Sequence, residues 1–346
     1  VDLRAGAVRD GKPLRILVTR LRYLGDVILT TPAVAALKER YPEAEIYYLA
    51  ERPYADILRE NPSLAGVISL AKGARGSLAA VSTLRSLRFS AAIDLFYNPR
   101  SAFLLCAAGI PVRVGGSRRM RRRLYTHIFA APETRSAVGH HLAALKVLDI
   151  DADETLPRVY LSPEEEAAGS DLVEKMIGMK RERAVVIAMH PGGTWPAKRW
   201  PRGSFAALAR IAREKLGAKI VLIEGPGEHD ITESVASRAG GDISILPPGS
   251  LRRAASILAS CSAVVANDGG IMHLAVALNV PTVGVFGPTE PDIWFPYEGK
   301  GPFSLVTHEW ECAPCHKHVC EAPRCLDGIE PREVLEHLEK VLIGRK

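Results

Sequence analysis

Short, β-branched apolar runs alternate along this chain with segments whose apolar residues recur at helical spacing, and the alternation runs once, pauses and starts again. Residues 15–19 (Arg-Ile-Leu-Val-Thr) are the first strand-like run. Residues 25–40, with Val27, Leu29, Val34 and Leu37 apolar, read as the first helix, its early Pro32 in the opening turns or kinking it. Further strands are expected at 45–50, 66–70 and 91–95, separated by helical stretches near 54–60 and 78–87, and a helix over 139–148 closes the set. Residues 149–163 are polar, hold two prolines and form the linker. The pattern then restarts with helix 164–179, strand 184–189, helix 204–215, strand 218–224, helix 228–238, a strand near 243–245 and helix 251–260. Alternation of this kind means parallel strands covered by helices on both faces. A chain of 346 residues is long for one core. The expected fold is therefore α/β, with two doubly wound Rossmann-like domains over 1–155 and 156–346. The amphipathic tail helix, 332–342, is a candidate to pack back on the first domain. Ligands of such sheets bind beyond the carboxyl ends of the strands, so a cleft between the domains is the expected site.

The loops at predicted strand ends carry the chemistry. Asn267-Asp268-Gly269-Gly270-Ile271-Met272-His273 sits between an apolar run at 263–266 and a helical stretch at 274–278, and a second apolar run, 280–286, ends in Gly287-Pro288-Thr289. Strand, tight glycine turn and helix bring backbone N–H groups and a favourable dipole to an anion. Asp268 and His273 flank that place and could contact a sugar or a phosphate; the plain alternative is an ordinary turn with a solvated Asp. His190-Pro191-Gly192-Gly193-Thr194-Trp195-Pro196-Ala197-Lys198-Arg199-Trp200-Pro201 follows another strand. Gly193, Thr194 and Lys198 suit a phosphate cradle, with Lys198 neutralising a diphosphate leaving group. The Gly-Lys-Ser/Thr spacing of a Walker loop is absent, and a proline-rich connector anchored by its tryptophans is the other reading. Glu228, in Gly225-Pro226-Gly227-Glu228-His229, either accepts from ribose hydroxyls or favours the dipole of the helix it opens. Asp26, in Leu24-Gly25-Asp26, is either a helix cap or a base for an attacking hydroxyl.

Charge is unevenly placed. Residues 1–160 hold 24 Lys and Arg against 15 Asp and Glu, whereas the remainder holds 21 against 24. Arg118, Arg119, Arg121, Arg122 and Arg123 cluster in the basic half and suit an anionic partner, unless they are merely solvated. Nucleic acid is not expected, because aromatic residues are 6% of the chain and none interleaves with these arginines before Tyr125. The longest apolar stretch, 102–112, is broken by Gly109 and Pro111 and is too short to span a bilayer. The first 13 residues lack the apolar core of a secretory signal, so a cytoplasmic location is expected.

Taken together and in this order, Leu24-Gly25-Asp26-Val27 with Thr31-Pro32-Ala33, then Pro196-Ala197-Lys198-Arg199-Trp200-Pro201, then Asn267–His273 and Phe286-Gly287-Pro288-Thr289, resemble glycosyltransferase family 9, the ADP-heptose:lipopolysaccharide heptosyltransferases. The middle stretch looks like that of the enzymes adding the second heptose. The resemblance covers nearly the whole chain and implies a GT-B fold and an inverting transfer of heptose from ADP-heptose to the lipopolysaccharide inner core. It implies Asp26 as general base, Lys198 as donor-phosphate ligand, residues 268–273 as the loop gripping diphosphate and sugar, and Glu228 as a nucleoside contact. One departure is Gly270, where the family often carries Ser or Thr, so that backbone N–H groups replace a hydroxyl. The implied partners are ADP-heptose, a lipid A-Kdo or heptosylated inner-core acceptor and the inner face of the bacterial inner membrane, with the arginine cluster on the acceptor side. Other outcomes are a family member using another nucleotide sugar or glycan, and a non-catalytic protein that binds one. Asp151-Ala152-Asp153 mimics a metal-binding DxD but lies in the linker, and no metal or cofactor is required for the reaction.

Four of the six cysteines crowd the tail: Cys312, Cys315, Cys320 and Cys325, with His316 and His318 among them. A structural zinc or reduced structural thiols fit this spacing, which departs from the two-knuckle pattern after Cys315. Cys106 and Cys261 lie in apolar segments and are expected in the core.

Overall fold

In a computed structural model, which describes residues 3, 13–116, 122–130 and 134–344, the chain divides into two compact units at Tyr160/Leu161. The division falls inside the polar stretch 149–163, five residues after the expected boundary at 155/156. Residues 156–160 stay with the first unit because Arg158 N–H donates to Thr31 Oγ1 at 3.0 Å and Val159 is buried. The second unit begins at a well-marked helix start, where Ser162 caps Pro163–Ile177 and exchanges hydrogen bonds with Glu165.

The first unit holds β1 (Arg15–Thr19), β2 (Glu45–Glu51), β3 (Gly66–Leu70), β4 (Ala91–Asp94), β5 (Val112–Gly116) and β6 (His127–Phe129), in the order β3-β2-β1-β4-β5-β6. The second holds β7 (Val186–His190), β8 (Lys219–Ile223), β9 (Ile243–Leu246), β10 (Ala263–Asn267), β11 (Thr282–Phe286) and β12 (Phe303–Thr307), in the order β12-β11-β10-β7-β8-β9. All the strand pairs are parallel. Read from opposite edges, both sheets have the same doubly wound order, reversing between β1 and β4 in one and between β7 and β10 in the other. Within each sheet the register aligns the carboxyl ends of the two strands at the reversal: Thr19 lies beside Asp94 in the first, and Ala266 beside His190 in the second. The loops that leave these strands are where an open α/β sheet binds its ligand.

The expected helix over 25–40 is two helices, Leu24–Ile28 and Thr31–Arg40. Pro32 has no N–H to continue the first, and the hydroxyls of Thr30 and Thr31 bond back to the carbonyls of Val27 and Ile28 at 2.7 and 2.8 Å. The segment near 54–60 is a 3-10 turn, Tyr54–Leu58. Strands β5 and β6 have no counterpart in the sequence reading. The tail helix is Pro331–Ile343. Its Val334, Leu335, Leu338 and Val341 lie in the second unit's core with Phe205, Val265 and Val285. No helix of the described residues is long and apolar enough to cross a membrane.

Candidate functional site

The switch point of the second sheet gathers three loops. Asn267, the last residue of β10, is 1% exposed and uses its whole amide. Its Nδ2 donates to the carbonyls of Pro191 and Gly192 at 3.1 and 2.9 Å, and its Oδ1 accepts from Trp200 N–H at 3.0 Å. The loop over 191–200 is thus fastened to β10 at both ends. Trp200, itself buried, donates Nε1–H to the Ile329 carbonyl at 3.1 Å.

That fastening places Lys198 against Asp268, Nζ to Oδ2 at 2.5 Å, with Asp268 5% exposed. The same oxygen accepts from Thr289 Oγ1 at 2.6 Å, from the loop that follows β11. The Lys198 ammonium also lies 4.6 Å from the centre of the Trp195 ring. A cation and a carboxylate buried together are costly unless each is partnered; here the ammonium has a carboxylate and a ring face, and the carboxylate has a second donor. Beside them Gly269 leads into helix Gly270–Ala277, in whose first turn Gly270 and Ile271 are half-buried and Met272 and His273 buried; a helix start carries unpaired N–H groups and a dipole that favour an anion. The charge of Asp268 reaches Tyr297, whose hydroxyl is pushed well above its ordinary range by burial first and by Asp268 second.

Glu228 takes an inward role. Its two carboxylate oxygens accept from Gly193 N–H at 2.7 Å and Gly225 N–H at 2.9 Å, tying the loop after β7 to the loop after β8. A Cβ on Gly192 would stand 2.0 Å from that carboxylate and displace it from its two N–H donors. Gly193 has φ +150°, which also favours glycine, and Thr194 is exposed. His273 is turned into the core, its Nδ1 2.8 Å from the Tyr297 hydroxyl. Of the residues singled out in the sequence, the fold brings Lys198, Asp268, Gly269 and Gly270 together, keeps Glu228 as the tie beneath them and buries His273.

In the first unit Asp26 sits in the opening turn of Leu24–Ile28. One carboxylate oxygen accepts from Arg20 and the other from Tyr23 N–H at 3.1 Å. It is therefore a cap, and also a carboxylate oriented by a cation. Arg20 in turn donates to the Leu95 carbonyl at 2.9 Å and lies 4.8 Å from the Phe96 ring centre. The loop it touches is built on Asp94, fully buried, which accepts from Phe96 N–H, Tyr97 N–H and the Tyr125 hydroxyl at 3.0, 2.7 and 2.7 Å. Burial raises the Asp94 carboxyl, and its hydrogen bonds oppose that. Burial, with the Arg20 charge second, lowers the nearby His140 and His141 imidazoles, the latter to well below its ordinary value.

Of the arginine cluster, Arg122 and Arg123 are exposed on a short 3-10 turn, while Arg118, Arg119 and Arg121 lie outside the described residues. Cys312, Cys315, Cys320 and Cys325 are thiols, and Cys325 is raised by burial first and then by the other three. Among the described residues, no three or more His, Cys, Asp or Glu side chains are gathered as a metal-ligand set. As they stand, the four thiols do not close the tetrahedral cage of a structural zinc. Asn267, Thr289, Arg20 and Asp94 escaped the sequence reading as site residues. Asn267 and Thr289 lay inside quoted motifs, and a lone carboxylate at the end of an apolar strand was the available sign for Asp94.

A family model described as "Glycosyltransferase family 9 (heptosyltransferase)" matches residues 78–325. Lipopolysaccharide heptosyltransferase 1 of Pseudomonas aeruginosa is 28% identical, over 96% of this chain and 99% of its own length. Lipopolysaccharide heptosyltransferase 2 of Escherichia coli (strain K12) is 26% identical, over 95% and 99%. Among solved structures, E. coli ADP-heptose lps heptosyltransferase II superposes with a TM-score of 0.81 at 26% identity, over 96% of this chain and 99% of that one.

Proposed function

This chain belongs to glycosyltransferase family 9, the heptosyltransferases, with the paired α/β units of the GT-B fold, and from that premise we propose that it moves a heptose from ADP-heptose to the inner core of lipopolysaccharide, with inversion and without a catalytic metal. The observation that carries the reading is the Lys198–Asp268–Thr289 group beside the N-terminus of Gly270–Ala277. It offers one buried-edge cation and a set of backbone donors, the chemistry a departing diphosphate needs.

In the proposed reaction the bond between the anomeric carbon and the diphosphate oxygen breaks as the acceptor oxygen bonds to that carbon from the opposite face. Negative charge grows on the diphosphate, and Lys198 with the N–H groups of 269 and 270 stabilises it more than the ground state. The acceptor hydroxyl's proton goes to Asp26, whose carboxylate Arg20 and Tyr23 N–H hold in a fixed orientation. The basic stretch 118–123 is assigned to the phosphorylated or acidic acceptor and to the anionic surface of the inner membrane, on its cytoplasmic side. No cofactor enters this scheme, and the zinc expected at the tail thiols stands outside it; elemental analysis of protein purified without a polyhistidine tag tests for that ion.

Product mass from a panel of nucleotide sugars, each mixed with a truncated lipopolysaccharide, tests the proposal. A heptose added to the acceptor with release of ADP is the expected result. Transfer of a different sugar only, or of none with the nucleotide still bound, would replace it with one of the other two readings.

A further inference from the structure

The cysteine-rich tail has no part in that scheme, yet residues 315–318 touch both loops whose tips meet at Asp268. The His318 ring stacks on Trp195, centroids 3.9 Å apart and planes 26° from parallel. The His318 carbonyl accepts from Ala197 N–H at 3.1 Å, next to Lys198. Three residues back, the N–H groups of Cys315 and His316 both donate to the Pro288 carbonyl at 3.0 Å, next to Thr289. The His316 imidazole lies 2.9 Å from the Glu290 carboxylate. One short segment thus grips the Lys198 loop with its far end and the Thr289 loop with its near end.

We infer that residues 315–318 are a strap that sets the donor-phosphate cation, and that His318 is a positioning residue acting on Lys198 through Trp195. The inference rests on the reading of Lys198 as a diphosphate ligand. A lysine ammonium on its four-carbon stem has many orientations open to it. The Trp195 face narrows them by attracting the cation, but only while the ring itself is held. Trp195 is half-buried on its loop, and the stacked His318 ring covers one face. Removing that ring frees Trp195 and takes away one of the ammonium's two holds, leaving it the Asp268 carboxylate alone, while the Asn267 and Glu228 ties that fold the loop remain.

Titration calorimetry of the full chain with inorganic diphosphate tests this on the wild type, H318A, H318F and K198A. H318A should weaken diphosphate binding roughly 3- to 10-fold, the worth of one aromatic stack. H318F, which keeps a ring on Trp195, should bind as the wild type does, and the melting temperature should stay constant across the three His318 proteins. Wild-type affinity in H318A, with K198A still weakened, overturns the strap and leaves the diphosphate site standing. Equal weakening in H318A and H318F overturns the stacking argument. Undiminished binding in K198A removes the diphosphate reading and the strap with it. An H318A protein that melts early and binds weakly, with H318F like the wild type in both, would make the ring a structural support and overturn the positioning role.

Discussion

Replacing Lys198 by Met should destabilise the second unit and abolish its anion site, and the two effects can be separated. Asp268 is almost fully buried and keeps only Thr289 once the ammonium is gone. Removing one partner of a buried ion pair typically costs about 3–5 kcal/mol. Lys198 retains 16% side-chain exposure, so water offsets part of this; about 3 kcal/mol is the expected loss. Neutralising the orphaned carboxylate should restore most of it, because apolar or neutral replacement of both partners of such a pair is often near neutral. Lys198→Met with Asp268→Asn should therefore recover all but about 1 kcal/mol of stability while diphosphate binding stays absent. The assay is urea unfolding followed by tryptophan fluorescence. All four tryptophans, Trp195, Trp200, Trp294 and Trp310, lie in the second unit, so the signal reports that unit alone. With a urea slope of about 2 kcal/mol per molar, the single variant's midpoint should fall by roughly 1.5 M and the double variant's by about 0.5 M. A single variant within about 0.3 M of the wild type would refute the reasoning, since Asp268 would then be charged and buried without needing Lys198.

Asp26→Ala should lower turnover about 100- to 10,000-fold with ADP affinity nearly intact; retention of more than about a tenth of the rate would remove Asp26 as the base. Replacing Arg119, Arg121 and Arg122 by Gln should raise the acceptor KM and reduce sedimentation with anionic vesicles, most clearly at low salt, with donor affinity held; vesicle binding and KM both at wild-type values would make the cluster solvated charge. Acid should destabilise the first unit through His141, whose imidazole burial keeps neutral in the folded state. The unfolded chain takes up that proton near pH 6.5, so stability is fully present above this value and falls by up to about 1.4 kcal/mol per unit as pH drops below it. Thermal unfolding by circular dichroism between pH 7.5 and 5 should show that slope, and His141→Leu should make it shallower, with His140 keeping the smaller remainder; equal slopes would acquit His141.

The sequence carries the fold class well because parallel strands buried on both faces leave continuous apolar runs and their covering helices leave a 3.6-residue period. What it hides is set by pairing across the chain. Strand β5 reads Val-Arg-Val-Gly-Gly and β6 has three residues; both are formed by the ladder they join at the sheet's edge, without a pattern of their own. The site divides likewise. Lys198 and Asp268 are legible as candidates from the loops that hold them, but the bond between them spans 70 residues of sequence. Glu228 looks like a ligand contact at a helix start, and that position gives no sign of the N–H groups of Gly193 and Gly225 that its carboxylate also accepts. Thr289 and Arg20 gain their meaning from partners that no local spacing announces.

The inward carboxylate of Glu228 also constrains how this site can drift through mutation. A side chain at Gly192 would meet it at 2.0 Å and one at Gly225 at 2.5 Å, so replacing either glycine drives the carboxylate off the N–H groups it accepts from. Loss of Glu228 alone strands two backbone donors, which makes that first step unfavourable as well. The three positions, spread over 37 residues of sequence numbering from Gly192 to Glu228, therefore behave as one heritable unit with strong epistasis. Descendants that shorten Glu228 and find another partner for the two N–H groups release both glycines at once, and descendants that keep it fix the loop backbone around the anion site whatever sugar the enzyme comes to use.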